Sequence, residues 1–186
     1  MSVPVDLDRR FRDAAARSGM LDAAYDVVDS PLGPLLVATG GRGIVRISFD
    51  TDLDRYVEWL VRVAGRNVLR APRLADPLRR ELDEYFAGRR HAFDLPVDLR
   101  GVAPFSGRVL RELSRIPFGQ TVTYAELAAR AGSPKAARAV GMTMHRNRVP
   151  ILLPCHRVIG ADGSLVGYAG GLERKVALLT LEGVLL

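Results

Sequence analysis

Cysteine is almost absent from this 186-residue chain, which contains a single one, Cys155. One thiol cannot form an internal disulfide, so a disulfide-stabilised scaffold is excluded. One cysteine with three histidines (His91, His145 and His156) also lacks the ligand spacing of a structural zinc site, and we predict no metal and no cofactor. Cys155 is therefore either an inert buried side chain or a reactive thiol, and its neighbours must decide between the two.

Long apolar runs are missing as well. No stretch approaches the roughly 18 uncharged apolar residues of a membrane span, so we expect no membrane partner. The beginning of the chain mixes acidic and basic side chains, namely Asp6, Asp8, Asp13, Arg9, Arg10 and Arg12. That mixture excludes a signal peptide and disfavours an acid-poor transit peptide. We therefore expect a cytoplasmic protein.

Lysine is scarce, with Lys135 and Lys175 alone, yet arginine brings the formal net charge to +6 and the sequence pI to about 10.1. Residues 101–161 hold nine basic residues and two acids, a net of +7. The rest of the chain holds 18 basic residues (27 minus 9) and 19 acids (21 minus 2), a net of −1. The positive charge thus belongs to one half of the protein, which favours a polyanionic partner for that half.

The first half has the pattern of a small α/β domain, which we assign to 23–95. Between residues 26 and 49, three short apolar runs separated by Pro and Gly predict consecutive antiparallel strands. Helical spacing of apolar residues then predicts helices over 53–64 and 75–87. An extension, 1–22, precedes this domain. Its apolar residues at amphipathic helical spacing are Val5, Leu7 and Phe11.

A linker over 96–103 leads into a mainly helical second domain, 104–186, so the fold class is α+β. A first helix is predicted over 106–116. A second, 123–131, begins with Thr123 followed three residues later by Glu126, the signature of a capping box.

The next helix is predicted to begin at Pro134, with Ser133 as its cap. Two helices joined by a tight turn, the second carrying Lys135, Arg138 and Arg146, match the pattern of a helix-turn-helix. Spacing alone leaves an ordinary helical hairpin open, and the charge distribution favours DNA binding.

Cys155 stands between Pro154 and His156. A neighbouring base or positive charge promotes formation of the thiolate, which is the nucleophile. The alternative is that Cys155 is a core residue and His156 a structural histidine. Adjacency in sequence does not decide between them.

Five motifs carry a resemblance to a known family. The first is Pro154-Cys155-His156-Arg157-Val158, which matches the active-site signature of the O6-alkylguanine-DNA alkyltransferases, also called methylated-DNA-protein-cysteine methyltransferases. The others are Tyr124-Ala-Glu-Leu-Ala, Pro134-Lys-Ala-Ala-Arg-Ala-Val-Gly141, Gly167-Tyr-Ala-Gly-Gly-Leu-Glu-Arg-Lys175 and Leu181-Glu-Gly183. With a weaker match at Ser30-Pro-Leu-Gly-Pro-Leu, the resemblance covers nearly all of the chain after residue 25. It implies a ribonuclease-H-like first domain and a winged-helix-like second domain.

The resemblance also implies a mechanism. Cys155 would accept the alkyl group from O6-alkylguanine in double-stranded DNA, with O4-alkylthymine as a second candidate substrate. His156 would take the thiol proton through a water, and Glu182 would orient the imidazole. The thioether product has no hydrolytic route back, so each molecule would act once. Tyr124 would donate a proton to the guanine, and the pocket walls would be Met144, Val158, Tyr168 and Ala169.

The damaged nucleotide must leave the duplex stack, at a cost of a few kcal/mol. By resemblance Arg138 would fill the vacated place, since a guanidinium is flat and rich in donors. The remaining residues assigned to DNA binding are Lys135, Arg146 and Arg148, on the phosphates, and Asn147, the hinge between the recognition helix and the active-site segment. We expect the protein to act as a monomer.

Three features depart from the family pattern. Arg148 replaces a proline that usually follows the hinge asparagine, residues 142–145 are bulkier than usual, and Ser106, Gly107 and Leu110 replace other residue types.

The alternatives to an alkyltransferase are a non-catalytic alkyltransferase-like protein, a helix-turn-helix regulator and a Cys/His hydrolase. A non-catalytic alkyltransferase-like protein would lack the acceptor cysteine. A helix-turn-helix regulator would show sequence preference, and a hydrolase would turn over many times.

Overall fold

The computed structural model describes residues 10, 12, 14, 15 and 18–185. They form two compact units, one from the described residues up to Asp83 with Asp94–Asp98 and the other from Glu84–Phe93 with the described residues from Leu99 onward. The strands are β1 (Ala23–Val28), β2 (Leu35–Gly40), β3 (Gly43–Ser48), β4 (Val68–Arg70), β5 (Val122–Thr123) and β6 (Val158–Ile159). From residue 18 onward the helices are α1 (Leu53–Val63), α2 (Pro72–Phe86), α3 (Pro104–Leu113), α4 (Tyr124–Arg130), α5 (Ala137–His145) and α6 (Leu172–Leu181). The predicted α+β class is confirmed.

The first unit is built on a four-stranded sheet with the order β3-β2-β1-β4. The three predicted strands are present, and both of their pairings are antiparallel. The sequence did not predict β4, which pairs in parallel with β1, because three residues are too few to show an alternating pattern. Helix α1 begins after the N-cap Asp52 and buries Tyr56 and Leu60 against the sheet residues Leu36 and Val45.

Residues 94–98 pair with the first unit. The Ile44 amide donates to the Pro96 carbonyl at 2.8 Å, and the Asp98 amide donates to the Ile44 carbonyl at 2.9 Å. Gly43 allows this approach, because a Cβ atom there would lie 2.1 Å from the Pro96 carbonyl oxygen. Part of the segment predicted as a surface linker is therefore held like a strand.

Helix α4 begins with the predicted capping box: the Thr123 hydroxyl accepts from the Glu126 amide, and the Glu126 carboxylate accepts from the Thr123 amide. The predicted start of the next helix was wrong. Pro134 lies in a turn closed by the Ala136 amide on the Ser133 carbonyl at 2.9 Å. Helix α5 consequently begins at Ala137, after an N-cap position without a side-chain cap.

The predicted amphipathic helix of the extension depends on Val5, Leu7 and Phe11, which lie outside the described residues. Arg12 is described, and its Nη1 donates to the Arg70 carbonyl at 3.0 Å. In the described part of the chain, no helix has both the length and the apolar character to span a membrane.

Candidate active site

Cys155 is the first residue of a short 3-10 turn, Cys155–Arg157, that leads into β6. The turn is closed by the Arg157 amide on the Pro154 carbonyl at 2.9 Å. Strand β6 pairs in parallel with β5, which directly precedes α4. This pairing holds the end of the Cys155 turn beside the start of the helix that carries Tyr124.

Asn147 connects the end of α5 to the sulfur. Its Nδ2 donates to the Leu153 carbonyl at 2.8 Å and to Cys155 Sγ at 3.2 Å, and its Oδ1 accepts from the Val149 amide at 3.0 Å. The sequence grouped Asn147 with the DNA-contacting residues. The structure places it in the interior, 9% exposed, where its amide fixes the segment that leads to the thiol.

That segment carries backbone strain. Ile151 has a φ of 76°, in the left-handed region that β-branched residues rarely adopt. A conformation of this kind costs on the order of 1–3 kcal/mol and persists only where surrounding contacts enforce it. Here Ile151 is buried, and the flanking Val149 and Leu153 are held by the bonds to Asn147 and by the Leu153 amide on the Val149 carbonyl. The contacts around Asn147 thus compensate for the strain beside the site.

The Cys155 thiol is 5% exposed. Burial raises its pKa to about 11, although the hydrogen bond from Asn147 and the positive charge of Lys175 both lower it. The resting protein therefore holds a neutral thiol at neutral pH. A base must remove the proton when the thiol reacts.

The carboxylate of Glu182, directly after α6, accepts hydrogen bonds from four other residues. Its Oε1 contacts His156 Nε2 at 2.8 Å, Tyr85 Oη at 2.7 Å and Arg157 Nη2 at 2.8 Å. Its Oε2 accepts from Arg157 Nε at 2.9 Å and from the Gly119 amide at 3.2 Å. Glu182 and His156 are both buried, so this network lies away from solvent.

Burial alone would raise the pKa of Glu182, but hydrogen bonds from His156 and Arg157 outweigh it and lower that pKa to about 2. Burial also lowers the pKa of His156, and Glu182 offsets only part of the effect. His156 is therefore neutral at neutral pH. Because an ionised carboxylate only accepts, Nε2 carries the imidazole proton and Nδ1 is the basic nitrogen. Nδ1 is buried and has no hydrogen-bond partner among the described residues.

The thiol lines a cavity of about 590 Å³, a size typical of small-molecule sites. Its lining is largely apolar, and the cavity is partly open to solvent. Its lining consists of Tyr124, Ala137, Arg138, Gly141, Met144, His145, Cys155, Val166, Gly167, Tyr168 and Ala169. Four predicted site residues besides Cys155 and Arg138 are therefore in the lining. Val158 is not: it is fully buried in β6.

Two side chains hold the wall of this cavity near Val166. The Tyr124 hydroxyl donates to the Val166 carbonyl at 3.3 Å. The buried Nζ of Lys175 donates to the same carbonyl at 3.0 Å and to the Val158 carbonyl at 2.7 Å. Lys175 thus links the strand after the cysteine to the loop that carries Tyr168.

The cations predicted to bind DNA lie along one element. Lys135 precedes α5, Arg138 is in its first turn, Arg146 follows its end, and all three are exposed. Arg148 differs, because its Nη2 donates to the Arg100 carbonyl at 2.9 Å and is held by the protein. Near α5, three of the predicted cations are therefore exposed, and the guanidinium of the fourth is hydrogen-bonded to the protein.

The sequence pointed to Cys155, His156 and Glu182. The structure bonds His156 to Glu182 and places Cys155 beside His156 in the 3-10 turn. The sequence did not assign three residues near them. Arg157 stands inside the cysteine motif and could have been noticed there. Lys175 ends the Gly167 motif and is one of two lysines in the chain. Nothing near Tyr85 in the sequence indicates a role.

Across the described part of the chain, no three His, Cys, Asp or Glu side chains lie close enough together to hold a metal ion. The site is instead a thiol, an imidazole and a carboxylate beside an apolar cavity. This arrangement can deprotonate a sulfur and present it to a bound electrophile.

Two family profiles match the chain, one in each half. A profile described as 6-O-methylguanine DNA methyltransferase, ribonuclease-like domain, matches residues 23–99. A second, described as 6-O-methylguanine DNA methyltransferase, DNA binding domain, matches residues 104–184. Together they account for most of the chain.

Individual relatives agree. The constitutive methylated-DNA-protein-cysteine methyltransferase of Bacillus subtilis is 42% identical over 161 residues, which is 86% of this chain and 95% of that protein. The Mycolicibacterium paratuberculosis methylated-DNA-protein-cysteine methyltransferase is 44% identical over 158 residues, 85% of this chain and 91% of that one. A crystal structure of Mycobacterium tuberculosis OGT in complex with DNA aligns with a TM-score of 0.75 and 40% identity, covering 86% and 92% of the two chains.

Proposed function

This chain belongs to the methylated-DNA-protein-cysteine methyltransferase family, and we propose that it repairs O6-alkylguanine in double-stranded DNA by moving the alkyl group onto Cys155. The observation that carries the proposal is the position of the thiol. Cys155, the single cysteine of the chain, lines a cavity large enough for a purine, and the adjacent His156 is bonded to Glu182.

We propose that the reaction begins with proton removal. His156 Nδ1 takes the thiol proton through one water, and Glu182 stabilises the imidazolium that forms. The thiol needs such a base because its pKa lies near 11. The buried imidazole is suited to the task because it is neutral before the reaction. The thiolate is therefore a minor species of the free protein at neutral pH.

In the transfer step, the sulfur forms a bond to the alkyl carbon while the bond from that carbon to guanine O6 breaks. The electron pair goes to guanine, which takes a proton from the Tyr124 hydroxyl. The thiol proton held by His156 then passes to the Tyr124 phenolate, so the products are neutral guanine, an alkylated Cys155 and a neutral His156 and Tyr124. Tyr124 lines the cavity and donates to the Val166 carbonyl in the free protein. Its hydroxyl must therefore leave that carbonyl in order to donate to guanine.

A thioether offers water no carbonyl to attack, so the protein is consumed in one event. The test is to count methyl groups. With an excess of duplex carrying O6-methylguanine, the protein should accept one methyl group per molecule. Continued release of demethylated DNA beyond that amount would instead support a hydrolase. The non-catalytic alternative is not favoured, since the acceptor cysteine is present.

We propose that exposed Lys135 and Arg146 contact phosphates and that Arg138, at the cavity mouth, fills the place left by the extruded nucleotide. Phosphate contacts carry no sequence preference, as repair of a lesion in any sequence requires. Arg148 has a smaller part in DNA binding, since its guanidinium is bonded to the Arg100 carbonyl. A cytoplasmic monomer remains our prediction.

Arg138→Ala should separate extrusion from chemistry. Because extrusion costs a few kcal/mol, we expect the rate of transfer from duplex DNA to fall roughly 10²-fold. Reaction with free O6-benzylguanine, which needs no extrusion, should change little. The measurement is the transfer rate on each substrate.

Arg130→Ala is the matched control for this substitution, because it removes an exposed positive charge from the end of α4, outside the cavity. It should alter both rates only slightly. Equal losses on the two substrates in Arg138→Ala would exclude the stacking role.

A further inference from the structure

One oxygen of Glu182 is shared by three donors. Oε1 contacts His156 Nε2 at 2.8 Å, Arg157 Nη2 at 2.8 Å and the Tyr85 hydroxyl at 2.7 Å. A carboxylate oxygen has two lone pairs, so three close donors compete for its electron density. Tyr85 is 97 residues from Glu182 in the sequence and comes from the end of α2.

We propose that Tyr85 is a positioning residue of the transfer reaction. Its hydroxyl donates a hydrogen bond to Glu182 Oε1 and so limits how strongly that carboxylate stabilises the proton on His156. The proposal rests on the proposed function, in which neutral His156 is the base. A carboxylate that accepted only from His156 and Arg157 would stabilise the imidazolium more strongly. The base would then be protonated over a wider range of pH.

Tyr85 is the member of this network that can be changed without altering its charge. The charged or titratable groups that act on His156 are Glu182 and Arg157, which contact each other, and Lys175 from α6. Cys155 is the neighbouring residue in the 3-10 turn. Replacing Glu182, Arg157 or Lys175 removes a charge, and replacing Cys155 removes the alkyl acceptor. Tyr85→Phe removes a neutral hydroxyl and no charge, because burial and Glu182 both raise the pKa of that hydroxyl.

The ring of Tyr85 is held independently of its hydroxyl. It packs against Phe86, Phe93 and Phe118 with centroid separations of 5.4, 5.3 and 6.0 Å, and it is fully buried. Tyr85→Phe should therefore retain the packing and the position of α2. What it changes is the number of hydrogen bonds to Glu182.

The test is the pH dependence of methyl transfer from about pH 5 to about pH 9, the range in which imidazoles titrate. We expect the acidic limb of the Tyr85→Phe profile to move to higher pH by roughly half a pH unit, the effect of losing one hydrogen bond. The rate should fall severalfold at the acidic end and stay nearly constant at the alkaline end. A loss of equal size at every pH, or an unshifted limb, would overturn the proposal.

Tyr56→Phe is the matched control. This tyrosine is also buried, but its hydroxyl donates to the Leu36 and Arg46 carbonyls, both at 3.2 Å, in the first unit. Tyr56→Phe should leave the acidic limb of the pH profile unshifted. A fluorinated tyrosine at position 85 keeps the hydroxyl and makes it a stronger donor, so the limb should move to lower pH. A shift in the same direction as Tyr85→Phe would contradict the proposed competition.

NMR titration of the His156 imidazole in unreacted protein separates this inference from the proposed function. The pKa of His156 should be higher in Tyr85→Phe than in wild type, whether or not the protein transfers a methyl group. An equal pKa in the two proteins would reject the role of Tyr85. Failure of wild type to demethylate DNA would reject the proposed function and leave the titration to decide the role of Tyr85.

Discussion

Cys155→Ala is expected to abolish alkyl transfer completely while leaving the affinity for duplex DNA within about twofold of wild type. The thiol is the acceptor, and no other cysteine can replace it. The exposed cations Lys135, Arg138 and Arg146 lie on or beside α5, so they are unaffected by the loss of one buried sulfur. The measurement pairs a methyl-transfer assay with a DNA-binding titration.

Cys155→Ser supplies the control, since it replaces the sulfur by an oxygen that can still accept from Asn147. We expect it to be inactive as well, because a hydroxyl is a far weaker nucleophile than a thiolate. If Cys155→Ala still removed methyl groups from DNA, another residue would have to be the acceptor.

Glu182→Gln should be the most damaging substitution outside the nucleophile. The amide keeps the shape of the side chain but leaves the Arg157 guanidinium buried without its counter-charge. Breaking a buried pair in this way costs about 3–5 kcal/mol of folding free energy. Since the base also loses its partner, we expect the transfer rate to fall roughly 10³–10⁴-fold. Urea unfolding and single-turnover kinetics measure the two effects.

Glu173→Gln is the matched control, because it makes the same change at an exposed position in the first turn of α6. We expect its free energy of unfolding to stay within about 0.5 kcal/mol of wild type. A similar loss in both variants would mean that the network around Glu182 contributes nothing specific.

Acid should reproduce the loss seen in Glu182→Gln. The pKa of Glu182 in the folded protein is about 2, below the ordinary value of 4.5, so the unfolded chain binds its proton more readily. The stability from this carboxylate is therefore full above pH 4.5 and is lost as the pH falls toward 2. His156, whose pKa is also lowered, adds to the loss in acid. Glu182→Gln should lack the Glu182 part of this dependence.

The fold was predictable where local pattern decides it. Short apolar runs separated by Pro and Gly predicted the three strands between residues 26 and 49, and the capping box predicted the start of α4. The pattern failed at Pro134, where a turn and a helix start have the same composition, and the turn was closed by Ala136. It also failed at β4, which is too short for any period to be visible.

The candidate site was predictable only in part, because its contacts join distant positions. His156 and Glu182 are 26 residues apart, and only the family resemblance paired them before the structure did. Tyr85 and Glu182 are 97 residues apart, and no local pattern marks the tyrosine. Burial of the thiol, which raises its pKa, is likewise a property of packing and not of the adjacent residues.

The mass of the peptide that contains Cys155 tests the central claim most directly. The protein is incubated with duplex DNA carrying O6-methylguanine, digested and analysed by mass spectrometry. We expect this peptide to gain the mass of one CH₂ group, in proportion to the methyl lost from the DNA. Demethylated DNA with an unmodified Cys155 peptide would contradict direct transfer to this sulfur.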